Sequence, residues 1–151
     1  MTVRIFVAFD VEHDRDLFDR MVASAGTQGG FEVCGHSHGG EICDAWQHRT
    51  ATQIAEAEQV VVVCSAHTDA CERVAAELQI ARQQSKPVVL LWSRRESECK
   101  KPAGARPDDS MYSWTPEILR DQLLLNQRKS LSSRVPDALK RRPQAASEIE
   151  N

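Results

Sequence analysis

Gln59-Val60-Val61-Val62-Val63-Cys64 runs for six residues with no alternation of polar and apolar side chains. A strand with one wet face alternates with a period of two. A strand without alternation is buried on both faces, as in the middle of a parallel sheet covered by helices. Val88-Val89-Leu90-Leu91-Trp92 repeats the pattern, and Arg4 to Phe9 is a third apolar run. These three segments commit the chain to a sheet with two covered faces.

Helical spacing fills the gaps between them. Leu17, Phe18, Met21 and Val22 mark a helix over 13–25, and the glycine-rich stretch 26–30 ends it. Phe31 to Cys34 reads as a weaker strand. Gly35 to Asp44 reads as a Gly- and His-rich loop. Trp46, Thr50, Ile54 and Ala57 line one side of the next helix. Asp69 with Glu72 fits a variant capping box at the start of a third helix, which Lys86-Pro87 ends. Residues 93–109 are polar, with Pro102, Gly104 and Pro107. A structureless loop of that length is unusual, so a short helix or a mobile flap is expected there. Met111 to Trp114 is a last short strand. Thr115-Pro116-Glu117 opens a final helix, with Thr at the N-cap and Pro at the first position.

The order β-α-β-α-β-α-β-loop-β-α predicts an α/β fold: a doubly wound, flavodoxin-like, five-stranded parallel sheet with helices on both faces. One domain is expected over 1–126. Residues 127–151 read as a charged, solvated, partly disordered tail, with six Lys or Arg between Arg128 and Arg142. Net charge is -3, so no global field draws the chain to nucleic acid or anionic lipid. No apolar run approaches the roughly 18 residues of a membrane span. The N-terminus enters a strand pattern without signal-peptide anatomy, so a cytoplasmic protein is expected. The five cysteines are odd in number and include no CxxC pair. They read as reduced thiols. Cys34, His36, His38 and Cys43 match no common zinc spacing, and no metal is expected.

Several chemistries lack their signatures. There is no GxxxxGK[ST] phosphate loop and no GxGxxG after the first strand. The loop there, Asp10-Val11-Glu12-His13-Asp14, does not suit a flavin phosphate either. A phosphoacceptor Asp at the end of the third strand is replaced by Cys64-Ser65. Ser65, His67 and Asp69 lie too close along one loop for a nucleophilic triad. Glu77 is different. At about 100° per residue it falls inside the apolar stripe of Ala70, Val74, Leu78 and Ala81. A carboxylate on a packed face is costly unless it is paired, hydrogen-bonded or facing a cleft. The helix alone leaves a buried ion pair, with Arg82 or Lys86, as open as a site.

The segments Val60 to Thr68, Val74-Ala-Ala-Glu77-Leu-Gln-Ile-Ala81 and Lys86-Pro-Val-Val-Leu90 resemble the TIR-like domains of bacteria. They are most similar to those of Thoeris antiphage systems. The opening strand and Trp114 before the last helix add to the likeness. One departure is Arg73, where an aromatic commonly precedes the valine of the helix motif. The resemblance implies an NAD+-consuming enzyme that cleaves the nicotinamide–ribose bond, with NAD+ as substrate and no cofactor. It implies a cyclic ADP-ribose-type signal to a downstream effector, and self-association through TIR-like surfaces. The implied catalytic residue is Glu77. Phe9 is expected to stack on a base, Asp10 to line the mouth, Ser37 to meet a ribose or phosphate, and Trp46 to cover the pocket. Two alternatives stay open: a non-enzymatic interaction module with Glu77 structural, and a nucleoside deoxyribosyltransferase-like enzyme with Glu77 as nucleophile.

Overall fold

The computed structural model describes residues 2–28, 30–92 and 98–134, without the side chains of 26–28 and 130–134. Strands β1 (Val3–Ala8), β2 (Phe31–His36), β3 (Gln59–Cys64), β4 (Val88–Trp92) and β5 (Met111–Ser113) form one parallel sheet in the order β2-β1-β3-β4-β5. Helices α1 (Arg15–Gln28), α2 (Asp44–Glu56), α3 (Glu72–Gln83) and α4 (Pro116–Arg134) connect and follow the strands. This is the doubly wound, flavodoxin-type order that the sequence predicts. Its switch point lies between β1 and β3, where the chain reverses its direction of winding and ligands bind in such folds.

β3 occupies the middle of the sheet, and all six of its residues are buried. On one face Val3, Ile5, Val7, Phe9, Val61 and Val63 pack with Leu17 and Met21 of α1 and Leu119 and Leu123 of α4. On the other, Phe6, Ala8, Val60 and Val62 pack with Ile54 of α2 and Val74 and Ala81 of α3. Gln59 is the polar exception. Its Nε2 donates to the Leu123 carbonyl at 2.7 Å, and its Oε1 accepts from Asn126 Nδ2 at 3.0 Å. Gln127 joins the same set, donating to Glu58 Oε2 at 3.0 Å. The expected boundary at 126 therefore falls inside α4. The helix begins as read, with Thr115 Oγ1 accepting from the Ile118 N–H at 3.1 Å. The part of the expected tail over 135–151 lies outside the described residues. Among the described residues, no helix is long and apolar enough to cross a membrane.

Three local readings are corrected. The capping box at Asp69 does not form. A one-turn 3₁₀ segment spans Thr68–Ala70, and α3 starts at Glu72 behind Cys71, which makes no side-chain cap bond. The reason is Thr68, whose hydroxyl accepts from the Ser65 N–H at 2.7 Å and closes a turn before the helix can begin. α1 starts at Arg15 because the N–H groups of His13 and Asp14 both turn back to the Asp10 carbonyl. Residues 93–97 of the expected flap lie outside the described residues. The described part after them is tied down, with Lys100 N–H on the Ser65 carbonyl and Arg82 on Asp109 at 2.9 Å.

The third correction bears on function. β2 runs two residues past Cys34, to His36, because it contains a bulge. Ile5 pairs with Val33, but Phe6 pairs with Gly35, leaving Cys34 extra. A slip of one residue moves every later side chain to the opposite face. Without it, Ser37 would lie on the α1/α4 face; with it, Ser37 turns toward α3. Gly35 makes this possible, since a Cβ there would come within 3.0 Å of Phe6 Cδ2 and 3.1 Å of Gln53 Cβ. We expect Gly35→Ala to destabilise the fold by about 1–3 kcal/mol through overpacking, measured by denaturant unfolding. An unchanged midpoint would mean the bulge tolerates a side chain.

Candidate functional site

Glu77 sits on the buried side of α3 with 0% exposure. Its Oε1 accepts a 2.7 Å hydrogen bond from Ser37 Oγ. That hydroxyl in turn accepts the Phe9 N–H at 2.9 Å. The last residue of the β1 run, the first residue after β2 and the middle of α3 are thus joined in one buried chain of hydrogen bonds. The other oxygen, Oε2, is buried and has no hydrogen-bond partner. The ion pairs considered for Glu77 are absent. Arg82 binds Asp109, and Lys86 Nζ donates to the carbonyls of Ala55 and Ala57. Burial pushes the Glu77 carboxyl up to about 8, against the opposing pull of the Ser37 hydrogen bond and the Arg73 charge. At neutral pH this side chain is mostly the uncharged acid.

A cleft of about 720 Å³ opens beside it at the carboxyl ends of β1, β2 and β3. Asp10, Glu12, Glu41, Glu72 and Arg73 are among its walls. Glu77 does not reach the cleft surface, whereas Arg73, one helical turn earlier, does. Arg73 Nη1 also donates to the Gly40 carbonyl at 3.1 Å, holding the β2–α2 loop against α3. Across the cleft, Asp10 is nearly buried. Its Oδ1 accepts the Glu12 N–H at 3.0 Å and its Oδ2 faces His13 Nδ1 at 2.8 Å. Burial acts to raise the Asp10 pKa, but the His13 and Glu12 hydrogen bonds outweigh it and hold the carboxyl below its ordinary value. The same contact raises His13. His13 stacks on His67, with ring centroids 4.0 Å apart.

Of the residues singled out from sequence, Ser37 meets Glu77 directly and Asp10 lines the cleft. Phe9 contributes its backbone N–H only. Its ring is fully buried and stacked on Phe18 at 4.6 Å, so it offers no face to a base. Trp46 is 5% exposed and lies under the loop, its Nε1 donating to the His38 carbonyl at 3.4 Å. It supports the loop and is not part of the cleft wall. Ser65 Oγ donates to Asp14 Oδ2 at 2.6 Å, away from any nucleophilic arrangement with the His67 ring. Asp10, Glu12 and His13 lie close enough to share an ion, but both Asp10 oxygens are already engaged by its own turn. Sequence reasoning noted Arg73 only as a departure. Its position four residues before Glu77 was the available signal, since that spacing shares a helix face.

Fold order and cleft position define a doubly wound α/β domain with an open cleft at its switch point. Residues 6–98 match the sequence model of the family described as Thoeris protein ThsB, TIR-like domain, and the chain belongs to that family. The match runs from within β1 to just past β4 and includes all of the Phe9–Ser37–Glu77 chain. Among solved structures, the TIR domains of the activated Roq1 resistosome directly recognizing the pathogen effector XopQ align with a TM-score of 0.44. Their identity is 16%, covering 99% of this chain and 86% of that one. No curated protein matches the chain.

The buried acid makes stability depend on pH. Glu77 titrates near 4.5 when unfolded and near 8 when folded. Between those values the folded chain holds the extra proton, so stability falls as pH rises through that window. The loss is about 1.4 kcal/mol per pH unit and stops above the folded pKa. Glu77→Gln resembles the neutral acid in shape and removes the titration. The variant is expected to be more stable than wild type at pH 8 by a few kcal/mol, with the gap closing toward pH 4.5. Thermal unfolding across that range checks it, and a gap independent of pH would contradict it.

Proposed function

We propose that this chain is an NAD+-consuming enzyme that breaks the nicotinamide–ribose bond and releases a cyclic ADP-ribose-type signal in antiphage defence. The observation that carries the reading is the unpartnered Oε2 of Glu77, buried one helical turn from Arg73, which lines a cleft at the switch point. A buried polar group without a partner is costly, and a ribose hydroxyl brought to it would supply one, accepting from the protonated acid or donating to the ionised carboxylate. Family membership supports the same assignment.

The chemistry suits a carboxyl at that position. When the N-glycosidic bond breaks, its electron pair leaves with the nicotinamide nitrogen, which loses its positive charge. Charge then develops on the ribose, as in glycoside hydrolysis. An adjacent anion stabilises it. Attack by water at the ribose C1′ gives ADP-ribose, and attack by an adenine nitrogen gives a cyclic isomer. Ser37 orients Glu77 by occupying Oε1, which leaves Oε2 for the substrate. Glu77 must be ionised to act, and two groups of the substrate favour that form: the pyridinium charge and the ribose hydroxyl donors. NAD+ is then substrate, with no separate cofactor. The reading places the enzyme in the cytoplasm, acting on an effector through the nucleotide and assembling through TIR-like surfaces.

Full burial of Glu77 favours a second reading, an interaction module in which the neutral acid only packs. Purified protein incubated with NAD+, with and without phage-infected cell extract, separates the two by mass spectrometry of the products. Nicotinamide and a cyclic or linear ADP-ribose are expected. Glu77→Gln should lower turnover by about 10²-fold or more while remaining folded. Intact NAD+ under both conditions, or unchanged turnover in the variant, would rule out the enzymatic reading.

A further inference from the structure

We infer that Arg73 is the phosphate handle of the cleft, the residue by which it selects phosphorylated ribosides over unphosphorylated ones. The inference deepens the proposal above and rests on the same site.

The walls are acidic, with carboxylates from Asp10, Glu12, Glu41 and Glu72. A ligand carrying a diphosphate would be repelled by such a surface. Among the described lining residues, Arg73 is the only Lys or Arg. Among the described residues it also makes no ion pair. Arg4, Arg15, Arg20 and Arg82 each stand within 4.0 Å of a carboxylate. Arg73, among the described residues, instead donates one hydrogen bond to a neutral backbone carbonyl, that of Gly40. An anion can displace that acceptor with a net gain, since charge-assisted bonds from a guanidinium to phosphate are roughly twice as strong as neutral ones and can be bidentate.

Position matches chemistry as well. Arg73 and Glu77 are four residues apart on α3, so their Cβ atoms are about 5–6 Å apart on one helix face. That separation is comparable with the span from a ribose diol to the phosphate on its own 5′ carbon. If a ribose is admitted to the buried Glu77 Oε2, as the proposed reaction requires, its phosphate falls to Arg73 at the cleft wall. The substrate class is then a ribonucleoside whose 5′ carbon carries a phosphate or diphosphate. Occupying Arg73 frees Gly40, so ligand binding and release of the β2–α2 loop exchange for one another.

ADP-ribose and adenosine, titrated by calorimetry into wild type, Arg73→Gln and Arg73→Lys, test the assignment. Gln keeps a donor for Gly40 without the charge, and Lys keeps the charge. ADP-ribose affinity is expected to fall about 10- to 100-fold in Arg73→Gln, and to fall much less in Arg73→Lys. The wild-type affinity should weaken with added salt more steeply than that of Arg73→Gln. Adenosine should be indifferent to all three. Equal ADP-ribose affinities in wild type and Arg73→Gln, or no wild-type binding, overturn the handle. NAD+ turnover by the same proteins keeps the two ideas apart. Arg73-dependent ADP-ribose binding with NAD+ left intact removes the reaction and keeps the handle. Cleavage with an unchanged KM in Arg73→Gln removes the handle and keeps the reaction.

Discussion

One extra residue in β2 decides whether the site exists. Cys34 has no partner on β1, and the slip it creates rotates Ser37 onto the face where α3 packs. From there Ser37 accepts the Phe9 N–H and donates to Glu77. Without the slip, Glu77 would be a fully buried acid with neither oxygen satisfied, and the α3 face could hold it only at the full desolvation cost. The bulge, the glycine that makes room for it and the acid are therefore one unit, though they lie on separate elements.

The electrostatics of the cleft follow from the same arrangement. Its walls carry formal negative charge, while the acid beside it is kept neutral by burial. Two kinds of carboxyl thus meet at the switch point. Asp10 is held ionised by His13 and its own turn, and Glu77 is held protonated by its surroundings. Environments that push like groups apart in pKa are a recurring feature of functional sites. Here the difference arises because Asp10 sits in a turn that supplies the Glu12 N–H and His13, whereas Glu77 is fully buried with one hydroxyl, that of Ser37, as its hydrogen-bond partner.

The sheet was legible from sequence because its evidence is local. Runs without polar–apolar alternation marked β3 and β4, and Thr115-Pro116 located the start of α4. Glu77 was legible because a carboxylate breaks an apolar stripe. What stayed hidden depends on contacts between distant segments. Within Phe31 to His36 only Gly35 hints at a bulge, and the slip itself is defined only against β1. Phe9 looked available for stacking because a strand-end aromatic can face either way; contact with Phe18 fixes it in the core. Asp69 fitted a capping pattern, but the Thr68 hydroxyl reached Ser65 first.

The amide cluster around Gln59 has a consequence for where the chain can be cut. Gln59 begins the central strand, yet its partners are Leu123, Asn126 and Gln127, the last lying one residue past the expected boundary at 126. A shortened protein ending at residue 126 would lose Gln127, whose side chain links Gln59 to Glu58. Fraying of the new helix end would then loosen the remaining two partners and leave a buried amide under the sheet. The smallest piece that folds like the whole is set by that amide cluster, not by the expected boundary at 126.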